Sequence, residues 1–177
     1  MKKISTKMLV TLAMLLAIEI VLSRFLAIQT PITRIGFGFV PLVMAGILFG
    51  PIPAAIVAVL ADILGAILFP TGGAYYPPLT VTSLLVGLTY GFFLYKKNFD
   101  PKKATDWIRV VLTVIVRQGV LALLLQSYWL SLLQGITYKQ CLITRIPQVL
   151  ILAAVEIIFI PVLIKVAGII KKAMNLN

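Results

Sequence analysis

Five ionisable residues, Glu19, Arg24, Asp62, Arg117 and Glu156, stand inside long apolar stretches of this chain. In hydrocarbon such side chains are costly, and they face a protein interior or a cavity. At about 1.5 Å rise per residue, Glu19, Asp62 and Arg117 fall at one depth, roughly 15 Å above one face. Glu156 is somewhat higher, and three or four ionisable groups at similar depth suggest that Arg117 is neutralised by carboxylates. A structural ion network and a proton relay both fit that arrangement, but the chain has no His and arginine does not release its proton. With a single Cys, Cys141, and with no phosphate loop or paired-carboxylate motif, no catalytic residue, metal site or cofactor is expected. The chain reads as a non-enzyme.

A second group could bind rather than react. Arg24, Arg34 and Arg145 fall near one set of predicted helix ends, where guanidinium groups pair bidentately with carboxylates. Each alone also fits a snorkelling interface residue. Phe25, Phe37, Phe39, Tyr75, Tyr76, Tyr128, Trp129 and Tyr138 lie in the same regions. They fit an interfacial aromatic belt or a stacking site for a flat ring. Gln118, Gln126, Ser127 and Gln148 add amides and a hydroxyl. The run from Pro70 to Pro78 pairs Gly-Gly freedom with Pro-Pro stiffness and reads as a lid. The candidate ligand set is Arg24, Arg34, Phe39, Tyr75, Tyr76, Gln126, Tyr128, Trp129 and Arg145.

The elements that position these residues must be membrane helices. The chain has 177 residues, 61% of them hydrophobic and 12% charged, and its mean hydropathy is +1.10. One soluble core could not hide so much apolar surface, so a soluble domain, a disordered chain and a nucleic-acid binder are excluded. Spans are predicted at Met8 to Ala27, Phe39 to Gly50, Ala54 to Phe69, Leu79 to Tyr95, Trp107 to Leu133 and Pro147 to Ile170. The second is too short to cross alone. Charge decides whether it counts. Lys2, Lys3 and Lys7, then Lys96, Lys97, Lys102 and Lys103, then Lys171 and Lys172 form three basic clusters. They share a face only if an even number of passes separates them, and counting the short helix gives six passes with all three clusters inside. The expectation is an all-α integral membrane protein. It is a six-helix bundle in one domain, residues 1–177, with both termini cytoplasmic and a short second helix completed by protein-covered irregular backbone. Outer loops are predicted at Ile28 to Gly38, Pro70 to Pro78 and Ser131 to Ile146. Small residues mark helix contacts: Ala13 and Ala17, then Ala54, Ala58, Ala61 and Gly65, then Gly87 and Gly91.

Read together, Arg24-Phe25, Pro31 to Phe39, Pro41, Gly50-Pro51, Asp62 to Gly65, Phe69 to Gly72 and Tyr76 to Thr80 resemble the substrate-binding S components of energy-coupling factor (ECF) vitamin transporters. Tyr128 to Leu133, Gly135 and Arg145 to Pro147 are similar to the folate-specific branch. Where that branch often has Asn before the aromatic-Leu-Ser run, this chain has Gln126-Ser127. Where many relatives have Lys after the Arg-Ile pair, it has Pro147-Gln148. The resemblance implies a multi-pass protein of the prokaryotic plasma membrane that captures folate or a reduced folate from outside. It implies partners that hydrolyse ATP, a transmembrane T component and two ATPase subunits, with Ala13 and Ala17 facing the T component. On this reading the pterin lies near Tyr76, Tyr128 and Trp129, and the arginines meet carboxylates or carbonyls. An S component for another vitamin, such as riboflavin, thiamine or a queuosine precursor, and a stand-alone proton-coupled permease are the alternatives.

Overall fold

A computed structural model describes residues 5–29, 34–69, 75–95 and 99–173, with Gln29 and Arg34 described by backbone alone. The chain runs α1 (Thr6–Arg24), β1 (Ile28–Gln29), β2 (Arg34–Ile35), α2 (Phe39–Phe49), α3 (Pro51–Leu68), α4 (Pro77–Leu94) and α5 (Ala104–Val114). A π-helical stretch (Ile115–Leu125) then leads into α6 (Gln126–Gln134), and α7 (Tyr138–Ala173) follows. From Ala104 to Gln134 the helix is continuous over 31 residues. Among the described residues, five helices are long and apolar enough to cross a membrane, and α2 is the shorter apolar one. The two strands pair antiparallel, Ile28 with Ile35 and Gln29 with Arg34.

The short α2 is covered by protein. Val43, Met44, Ala45, Gly46, Ile47 and Leu48 are all buried, and the main apolar core joins α2 to Tyr90 and Leu94 of α4, Val110 and Val114 of α5, and Ile160 and Ile164 of α7. A single residue, Gly50, separates α2 from α3. Its φ of 98° is open only to glycine without strain, and Pro51 starts α3 at the position where a missing N–H costs nothing. The predicted turn is there, but α3 begins at Pro51 rather than Ala54.

Helix order creates two faces. Gly50 abuts the Tyr95 ring, and the Lys171 ammonium lies 5.5 Å from the same ring's centroid. The α2–α3 turn and the ends of α4 and α7 therefore share one face, the turn face. Arg24 Nη1 donates to the Phe69 carbonyl at 3.4 Å, so the ends of α1 and α3 meet on the opposite, hairpin face.

A second predicted boundary is corrected. The loop expected from Ser131 to Ile146 is only Gly135 to Thr137, and α7 starts nine residues before Pro147. Gly135 at φ 65° ends α6, and the Ile136 N–H closes on Ser131 O at 3.2 Å, a left-handed helix stop. Pro147 and Pro161 sit inside α7, where packed neighbours in a membrane bundle tolerate them. Tyr138, Lys139 and Arg145 are thus helical residues.

Candidate functional site

Two polar networks form within the bundle. The first lies on α1, α3 and α4. Arg24 ends α1, and its guanidinium passes over Gly65 of α3, where an added Cβ would stand 2.6 Å from Nε. Asp62 and Glu19 are its charge neighbours. The Thr80 hydroxyl donates to Asp62 Oδ2 at 2.7 Å and lies 3.0 Å from the Tyr75 hydroxyl. This network ties the approach to α4 into the bundle. Glu19 and Asp62 thus serve Arg24, which leaves Glu156 as the carboxylate for Arg117.

The second network lies on α4, the π-helical stretch, α6 and α7. On α7, Cys141, Arg145, Gln148, Leu152 and Glu156 are buried at helical spacing on one face. Glu156 is 0% exposed. Its Oε1 accepts from Gln118 Nε2 at 2.9 Å and from the Tyr90 hydroxyl at 3.0 Å. Arg117 Nε is 3.4 Å from the same oxygen, so Glu156 is the carboxylate that neutralises Arg117. A π-helical turn carries its hydrogen bonds one residue further along and is frequent at functional sites. Here it carries Arg117 and Gln118.

Arg145 sits toward the hairpin face of the same network and is only 2% exposed. Its Nη2 donates to Gln126 Oε1 at 2.9 Å. Nε and Nη1 of Arg145, Ser127 Oγ, Trp129 Nε1, Gln118 Oε1 and Glu156 Oε2 are buried without a hydrogen-bond partner among the described residues. Each such atom costs about 1–3 kcal/mol while it stays unsatisfied. They lie on three neighbouring elements, the π-helical stretch, α6 and α7, where a polar ligand or ordered water would satisfy them.

Of the predicted residues, Gln126 and Arg145 are bonded to each other, and Trp129 stacks edge-on with Tyr128 at 5.0 Å between centroids. Tyr128 itself is 48% exposed and also meets the Tyr138 ring. Arg24 belongs to the first network and Arg145 to the second. Phe39 is 4% exposed in the apolar core, against Phe37 and Phe159. Tyr75 is exposed and bonded through Thr80, and Tyr76 precedes the first turn of α4. The Arg34 side chain and Pro70 to Ala74 of the expected lid lie outside the described residues. Tyr90 and Thr80 were not expected. The signal for both was a polar side chain inside an apolar span.

Comparison with known proteins agrees with this architecture. The family described as "ECF-type riboflavin transporter, S component" matches residues 3–168. The folate transporter FolT of Clostridium novyi (strain NT) is 38% identical over 160 residues, which cover 90% of this chain and 88% of that protein. The folate transporter FolT of Leuconostoc mesenteroides is 30% identical over 131 residues, 74% of this chain and 67% of that one. The crystal structure of FolT bound with folic acid superposes with a TM-score of 0.79 at 32% identity, covering 89% of this chain and 91% of that chain. Six helices with a short second member, a buried polar site and a match along almost the whole sequence lead to one assignment: the chain belongs to the S components of ECF-type transporters.

Proposed function

We propose that this S component binds folate and delivers it to an ATP-hydrolysing partner module. It is a multi-pass protein of the plasma membrane and not an enzyme. The carrying observation is Arg145, a buried guanidinium with two nitrogens lacking hydrogen-bond partners among the described residues. Its charge neighbour is another cation, Arg117. A cation so placed favours a ligand with carboxylate or carbonyl oxygens. Folate brings both, with a flat pterin to lie beside Trp129 and Tyr128 and ring donors and acceptors for Gln118, Gln126 and Ser127. Riboflavin, the vitamin in the family's description, has no carboxylate, whereas the relatives with 38% and 30% identity are both folate transporters.

Arg24, Arg34, Phe39, Tyr75 and Tyr76 complete the proposed set, with Phe39 acting as packing beneath it. Residues 1–177 act as one domain with both termini in the cytoplasm, which puts the hairpin face outside. Ala13 and Ala17 are exposed on α1, which suits docking of the T component there, beside two ATPase subunits.

Titration of the detergent-purified protein with folate, riboflavin and thiamine tests the ligand. Trp107 and Trp129 are the only tryptophans, and folate is expected to quench their fluorescence saturably. Saturable quenching by riboflavin or thiamine, with none by folate, rejects the folate reading.

A further inference from the structure

On its outer side α5 carries a shallow, open apolar groove of about 290 Å³ lined by Trp107, Ile108, Val111, Leu112 and Ile115. All five are exposed. From Trp107 to Ile115 the groove spans about 12 Å along the helix, close to the roughly 15 Å depth of one leaflet's hydrocarbon. It ends where the π-helical stretch begins, at Ile115.

Its mouth is a fixed basic loop. Asp106 Oδ2 accepts the Asp100 N–H at 3.0 Å, and Trp107 Nε1 donates to the Pro101 carbonyl at 3.2 Å. The Phe99 and Trp107 rings meet edge to face at 5.2 Å. Both acidic groups of the loop are engaged, since Asp106 Oδ1 also pairs with Arg109 at 3.0 Å and Asp100 Oδ1 accepts the Lys102 N–H at 3.1 Å. Lys102 and Lys103 are left exposed. Lys103 immediately precedes α5, four residues before Trp107 at the start of the groove.

We propose that this face holds an anionic phospholipid, with its phosphate at Lys102 and Lys103 and one acyl chain along the groove. A shallow apolar helix face with a cationic loop at headgroup level is complementary to that molecule at both ends. The protein partner proposed above docks on α1, which packs on α2 and α3, whereas α5 packs on α4 and α7. The groove therefore stays open to lipid.

The test uses Trp107 as the reporter. The full-length Trp129→Phe protein, leaving Trp107 as sole tryptophan, is reconstituted in vesicles with brominated-chain phosphatidylglycerol or brominated-chain phosphatidylcholine. Phosphatidylglycerol is expected to quench preferentially, with a relative affinity roughly fivefold higher for each lysine engaged. Lys102→Gln with Lys103→Gln is expected to bring the two lipids to parity. Ile108→Ser and Leu112→Ser serve as groove variants, with weaker quenching by both lipids expected. Equal quenching of the parent by the two lipids overturns the proposal, as does a preference that survives loss of both lysines. Loss of the preference at low millimolar inorganic phosphate also overturns it, since the lysines would then bind free phosphate rather than a lipid.

Discussion

The guanidinium of Arg24 fills the space that a side chain at Gly65 would need, with Nε 2.6 Å from where a Cβ would stand. Gly65 therefore sets the position of the cation at the end of α1, and with it the neutralisation of Asp62 and Glu19. Gly65→Ala is expected to lower thermal stability in detergent and to weaken folate binding about tenfold. In Arg24→Met with Gly65→Ala the clash is relieved, and a double-mutant cycle should return a coupling energy of about 0.5–3 kcal/mol. Additive losses would show that the two residues do not compete for the same space.

Glu156 and Arg117 form a pair inside the bundle, where removing one member strands the other. Glu156→Gln is expected to cost about 3–5 kcal/mol, read as a large fall in the midpoint of thermal unfolding. Arg117→Met with Glu156→Met removes both charges and should recover most of that loss. If the double variant is no more stable than Glu156→Gln, the pair is not what the single substitution breaks.

How much of this was legible in the sequence depends on range. The six passes followed from lysine clusters and apolar lengths, which are local quantities. The Gly50 turn followed from its Gly-Pro run. The start of α7 did not, because Pro147 reads as a helix boundary in isolation, and only packing keeps it inside a 36-residue helix. Arg145 and Gln126 were legible as polar residues near one face, but their mutual hydrogen bond joins two helices. Depth alone suggested that Arg117 meets carboxylates among Glu19, Asp62 and Glu156. Which carboxylate meets which arginine depends on helix adjacency and rotation, and these are set by contacts such as Gly65 beneath Arg24.

Gly91 lies where α4 crosses the α2–α3 turn, and a Cβ there would run into backbone atoms of Pro51 and Gly50. Backbone cannot rotate away as a side chain can, so Gly91→Ala forces the helices apart, at about 1–3 kcal/mol or more. At Gly119 nothing lies within 4 Å of the added carbon, and Gly119→Ala is expected to be neutral or stabilising by up to about 1 kcal/mol. Unfolding midpoints of the two variants check the contrast. Equal effects would mean that close approach at Gly91 does not hold the bundle.

Arg145 is expected to supply charge-assisted hydrogen bonds worth about 1.5–3 kcal/mol each to the ligand. Arg145→Gln should therefore weaken folate binding at least tenfold, and Arg145→Lys should restore only part of it, since a lysine lacks the planar fork. Titration with pteroate, which lacks the glutamate tail, then shows which end of folate the arginine meets. If Arg145→Gln weakens folate and pteroate alike, the contact is to the ring end. If only folate suffers, the contact is to the tail. Wild-type affinity in Arg145→Gln for both ligands would remove the residue from the site.

Ala13 and Ala17 provide a test that separates capture from energy coupling. Of the described residues of α1, only Ser23 is buried within the chain, and both alanines are exposed. A tryptophan at either position therefore projects away from the bundle and leaves both polar networks in place. It also fills the shallow surface on which another helix would need to approach closely. Ala13→Trp and Ala17→Trp are expected to keep folate affinity within about twofold and the unfolding midpoint nearly unchanged. Co-purification with the T component and ATPase subunits should be lost, and with it ATP-dependent uptake in reconstituted vesicles. Loss of folate binding by the isolated variants would instead make this stripe part of the chain's own packing. Retained co-purification would move the docking surface to another helix.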